Sequence, residues 1–120
     1  MGLDVDLYKK RHVSYDNCKT WEEERDVVFS AGITHNLNKM AEKAGLYKVL
    51  WRPEEVGAKT AKDIIYALDF GLKELRSNPD YYKKFNPENG WGNYDILVSF
   101  VERYLNACIE NPNLEISVSR

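Results

Sequence analysis

Leu3-Asp4-Val5-Asp6-Leu7-Tyr8 alternates apolar and polar side chains, and Leu114-Glu115-Ile116-Ser117-Val118-Ser119 repeats the alternation near the other end of the chain. A period of two sends successive side chains to opposite faces of a strand, so both stretches read as half-buried β-strands. Strands at the two ends of a small domain commonly neighbour each other. The fold class expected is therefore α+β, a small sheet pairing the N- and C-terminal strands, covered on its apolar face by three to five helices and wet on its polar face. A third strand is predicted over 26–30 around Val27, Val28 and Phe29, and 15–24 reads as an irregular or partly helical connection.

The middle of the chain switches to helical spacing. Leu37, Met40, Ala41 and Ala44 recur at i, i+3, i+4 and i+7, with Thr34 in front as a cap and Gly45 behind as a stop. Leu46, Tyr47, Leu50 and Trp51 suit one further helical turn, closed by Pro53, which has no N–H to continue it. Thr60 and Asp63 form a capping-box pair ahead of a long stripe of Ala61, Ile64, Ile65, Leu68, Leu72 and Leu75. Asn78-Pro79-Asp80 supplies a cap, a first-turn proline and a first-turn acid for a short helix with Tyr81, Tyr82 and Phe85. The last helix starts near Asn93, buries Leu97, Phe100, Val101, Tyr104, Leu105 and Cys108, and ends at the turn Asn111-Pro112-Asn113. Without a repeat or a flexible linker, a single domain over 1–120 is expected.

With 120 residues, 43% of them hydrophobic and 30% charged, the chain has the balance of a folded domain. Seventeen Lys and Arg against nineteen Asp and Glu give a net charge of -2, which offers no general attraction to phosphate backbones or anionic membranes. Neither nucleic acid nor membrane is expected as a partner. The basic run Lys9-Lys10-Arg11-His12 lacks interleaved aromatics and reads as a solvated strand end. Cys18 and Cys108 are far apart and outside any ligand spacing, so a loop thiol and a reduced core thiol are expected. With no signal-peptide pattern, and Asp6 where a myristoylation motif wants Ser or Thr, the expected location is cytoplasmic.

Four segments carry more polar and turn residues than packing demands. Gly32-Ile33-Thr34-His35-Asn36 leads into a helix start, where free backbone N–H groups favour an anion and His35 and Asn36 add donors; the same residues also suit simple capping. Asn86-Pro87-Glu88-Asn89-Gly90-Trp91-Gly92 suits a tight loop that either presents Trp91 to a planar ligand or plugs it into the core. Arg52, beside Trp51 and Pro53, fits a phosphate or carboxylate, or an ion pair with Glu54 or Glu55. Asp4 and Asp6 share a strand face and, with Glu115, present oxygen ligands for a hard cation or simply solvate the sheet. Common phosphate-loop, dinucleotide, nucleophile-elbow and zinc-protease signatures are missing, and no cofactor is expected.

Thr34-His35-Asn36-Leu37 with Met40, then Trp51-Arg52-Pro53-Glu54, then Asn86-Pro87-Glu88-Asn89-Gly90-Trp91-Gly92-Asn93-Tyr94 resembles a family of small uncharacterised bacterial and phage proteins. The resemblance carries no activity with it, but it implies that the His35 and Trp91 segments belong together around one pocket. The function expected is a non-enzymatic small-ligand binder, of a phage-type sequestering kind, for an anionic, nucleotide-like molecule. Thr34, His35, Asn36, Arg52, Asn89, Trp91 and Tyr94 are its candidate ligand-binding residues, with no catalytic or metal-ligating residue assigned. One alternative is a protein-interaction module that inhibits a host enzyme through Tyr81, Tyr82 and Trp51. Another is a hydrolase or transferase with His35 as general base.

Overall fold

The computed structural model describes residues 2–15 and 20–120, with the backbone alone for 12–15 and 20–23. Strand β1 (Gly2–Tyr15) lies at the centre of a three-stranded antiparallel sheet between β2 (Thr20–Thr34) and β3 (Glu115–Ser119). The terminal strands pair as their alternation requires, Val5 opposite Val118 and Leu7 opposite Ile116. Leu3, Val5 and Leu7 are completely buried, whereas Asp4 is exposed and Asp6 half-buried. Placing charged groups on the solvent face avoids the desolvation that a one-residue slip of register would impose.

Helices occupy the apolar side: α1 (Asn38–Lys43), α2 (Tyr47–Trp51), α3 (Ile65–Ser77), α4 (Pro79–Lys83) and α5 (Tyr94–Glu110). Phe29 of β2 stacks on Tyr104 of α5 with ring centroids 6.0 Å apart, so α5 is the helix laid against β2. Three short 3-10 turns, His35–Leu37, Pro53–Val56 and Ala61–Asp63, connect the elements. The helix expected from Thr34 therefore begins as a 3-10 turn, and the one expected from Thr60 does likewise, with its capping box formed as read. Asp63 accepts from the N–H groups of Lys59 (2.9 Å) and Thr60 (3.0 Å), and these bonds hold its carboxyl below the usual carboxylate range.

The expectation for 15–24 needs correction: β1 runs to Tyr15 and β2 begins at Thr20, with Cys18 outside the described residues. Within the ladder Lys9 lies opposite Asp26 and Arg11 opposite Glu24, while Lys10 lies opposite Arg25 and turns instead to Glu115 of β3 at 3.8 Å. Arg11 donates to Glu24 at 2.8 Å. Opposite charges across a ladder favour pairing where glutamates alone have little strand propensity. The ladder shifts register between Leu7 and Tyr8, where Val28 is the extra residue of β2. Beyond this bulge the hairpin leaves the helical layer as a two-stranded arm, because β3 pairs only with Asp4 to Tyr8.

Candidate functional site

The loop at 86–93 is built by asparagine side chains that each take a backbone N–H: Asn86 from Tyr94 at 2.8 Å, Asn89 from Trp91 at 2.9 Å and Asn93 from Ile96 at 2.9 Å. Such closures satisfy groups that no helix or strand would satisfy there. Gly90 and Gly92 both have positive φ, 76° and 93°. At Gly92 the neighbours matter as well, because a Cβ there would lie 2.7 Å from Cγ2 of Thr34 and 3.1 Å from Cγ of Leu37. The absent side chain lets the loop lie directly on the 34–37 turn, and this contact brings two remote segments together.

Thr34, His35, Asn36, Asn89 and Trp91 line one surface hollow of about 430 Å³. Trp91 is 70% exposed, so it does not plug the core, and its ring is offered to solvent at the rim. His35 is half-buried, and its Nδ1 accepts from the indole Nε1 of the buried Trp51 at 2.9 Å. An indole nitrogen only donates, so Nδ1 holds a lone pair and the neutral ring carries its proton on Nε2. This fixes His35 as an Nε2–H donor. Asn89, whose oxygen is engaged by Trp91, keeps its amide nitrogen as a donor, and Thr34 accepts from the N–H of Asn36 at 3.3 Å. The lining thus combines an aromatic face with neutral donors, and it includes neither Lys nor Arg.

Two of the seven candidate residues lie elsewhere. Arg52 approaches Glu55 with its Nε 3.8 Å from the carboxylate, and its protonated form is favoured first by a hydrogen bond with Tyr47. Tyr94 is buried, its hydroxyl donates to the carbonyl of Leu75 at 2.6 Å, and burial, helped by Asp95, raises its phenol pKa. The pairing of Arg52 with Glu55 is the other role its sequence position allows, whereas the bond from Tyr94 to Leu75 is one that sequence spacing does not disclose. Gly92 and Trp51 were not singled out as site residues: the first permits the close approach and the second orients the imidazole. The N-G-W-G pattern is the signal for the first, whereas nothing in the sequence links Trp51 to His35.

The anchors proposed for a protein interface also need correction. Trp51 is 2% and Tyr82 3% exposed, leaving Tyr81 alone at the surface. Trp51 stacks on Tyr47 at 5.7 Å and Tyr82 packs edge-on against Tyr81 at 5.0 Å, which spends their apolar area inside the fold. The three acids of the sheet do not converge either. Asp6 accepts from the Ser30 hydroxyl, and Glu115 lies 3.8 Å from Lys10 Nζ. Among the described residues no cluster of three or more His, Cys, Asp or Glu is placed to hold a metal ion. No helix is long and apolar enough to cross a membrane among these residues. Comparison of the chain with protein-family models, curated proteins and solved structures yields no match.

Proposed function

We propose that this protein is a non-enzymatic small-ligand binder whose site is the hollow at 34–36 and 89–91, and that its ligand is a planar, nucleotide-like molecule. The observation that carries the reading is the solvent-exposed indole of Trp91, standing over polar side chains contributed by a segment more than fifty residues away. An exposed indole offers stacking area for a base. The Nε2–H of His35 and the amide of Asn89 suit the acceptor edges of such a ring. With Nδ1 of His35 held by Trp51, the imidazole acts as a positioned donor in preference to a general base.

The lining also refines the anionic part of the expectation. A phosphate at the hollow meets no cationic side chain of the lining, so it extends toward solvent while base and sugar supply the affinity. Isothermal titration with the four nucleosides, their monophosphates and their triphosphates tests this. At least one base is expected to bind, with nucleoside and nucleotide alike within about threefold, a difference under ~1 kcal/mol. Trp91→Ala is expected to weaken that binding by about tenfold or more, the scale of one base–aromatic stack. The absence of binding heat with every nucleoside and nucleotide at millimolar concentration would end this reading.

A further inference from the structure

The two edges of the sheet are treated differently. Along β3 the outer edge is covered, since Ile116 N–H donates to Lys59 O (3.1 Å), Ala61 N–H donates to Leu114 O (2.9 Å), and Thr60 bridges Glu115. Along β2 the outer edge takes no backbone hydrogen bond from any described residue outside the ladder with β1. Alternate residues of an edge strand direct N–H and C=O outward, and natural edges are usually blunted by charge or proline. From Phe29 to Thr34, past the bulge at Val28, this edge has neither.

Beside that edge lies a groove of about 380 Å³ between Gly32 and Ile33 of β2 and the outward side of α5. It is lined by Phe100, the 45%-exposed Ile96, and the charged residues Asp95 and Arg103. Arg103 makes no ion pair among the described residues. Phe29 meets Tyr104 while Thr34 lies against Gly92, just before α5 begins, so helix and strand run in opposite directions. Asp95 and Arg103 are eight residues apart on α5, roughly 12 Å along the helix axis. Same-side positions i and i+4 of an extended chain are about 13 Å apart.

We propose that this groove is a peptide-binding site that takes an extended segment as a fourth strand, antiparallel to β2. Read from its N-terminus, the segment carries a basic, an aliphatic and an acidic side chain at alternate positions. In that direction the basic group faces Asp95, the aliphatic one covers Ile96 and Phe100, and the acidic one faces Arg103. Main-chain bonds to the open edge supply affinity, and the two opposite charges set direction and register. The groove shares no lining residue with the hollow at His35 and Trp91, so each site stands or falls alone.

The test uses the full chain and a labelled threonine-rich peptide, blocked at both ends, with Lys, Val and Glu at alternate positions, followed by anisotropy and by backbone amide shifts. Saturable binding is expected, with shifts concentrated at 27–34 and 93–103. Exchanging Lys and Glu in the peptide should weaken binding by about tenfold, and the double variant Asp95→Lys, Arg103→Glu should invert the preference. N-methylation of alternate peptide amides should abolish binding by removing the strand's donors. Failure of the first peptide to bind, equal affinity for both charge orders, or self-association of the chain through the β2 edge would each overturn the proposal.

Discussion

Tyr104 is completely buried between Phe29 and Phe100, yet its hydroxyl has no hydrogen-bond partner among the described residues. Burial drives its phenol pKa far upward, with smaller contributions from Cys108 and Asp6. An unsatisfied buried hydroxyl costs more than a bond returns, so Tyr104→Phe, which keeps the ring packing, is expected to stabilise the protein by about 1 kcal/mol. Urea denaturation of the two forms checks this, and a lower midpoint for the Phe variant would contradict it. Cys108 lies beside it, free and buried, with its thiol pushed up to about 12 by desolvation. Below pH 9 folded and unfolded thiols are both protonated and the contribution is complete. Between about 9 and about 12 the unfolded chain releases the proton that the folded chain retains, so stability falls as pH rises. Cys108→Ala is expected to lose part of that alkaline slope in denaturation midpoints measured from pH 8 to 11. The apolar stripe made the burial of both residues legible in the sequence, but the missing partner for the Tyr104 hydroxyl depends on what β2 places above it.

Among the elements, the loop at 86–93 gives the sharpest comparison. Gly90 has φ 76° with open space around a Cβ, while Gly92 has φ 93° and the Thr34 and Leu37 side chains in the way. Gly90→Ala is expected to cost about 1 kcal/mol, the penalty of left-handed backbone alone, and Gly92→Ala about 2 to 3 kcal/mol because a steric clash is added. Thermal unfolding ranks the two, and the larger loss at Gly92 should accompany displaced amide signals at 34–37. Equal losses would mean that the loop does not rest on that turn. Boundaries set by local chemistry were readable here: Asn93 caps α5, Thr60 and Asp63 form their box, and Pro79 opens α4. The start of β2 was not, because the glutamates at 22–24 give no strand signal until the register places β1 residues 11–13 opposite them. Arg52 reads in the sequence both as an anion ligand and as a partner of Glu55, and the structure pairs it with Glu55 and Tyr47, whereas the bond from Tyr94 to Leu75, nineteen residues back, leaves no sequence signal.

At the scale of the molecule the arm dominates. The Cα radius of gyration is 16.4 Å and the extents are 60 × 28 × 22 Å, against about 13.6 Å for a compact chain of this length. On β1 the fully covered side chains end at Tyr8, and Lys9, Lys10 and Arg11 are exposed. Replacing 12–23 by a two-residue Asn-Gly turn should therefore leave the thermal midpoint within a few degrees while bringing the solution radius of gyration toward the compact value. X-ray scattering on both chains checks the second expectation and calorimetry the first. Collapse of the shortened protein would show that the arm supports the fold.

What the sequence determined by itself is whatever depends on neighbours a few residues away. The alternation at Leu3 to Leu7 and Leu114 to Val118, the stripes of α3 and α5, and their caps follow from side-chain period and from backbone groups that must find partners. What only the tertiary structure decided is every relation across distance: the length of β2, the seating of Gly92 on Thr34, the bond from Trp51 to His35, and the open edge beside α5. Those relations arise from charge pairing and close packing between segments remote in the chain, and such contacts become specified when the core has placed both partners.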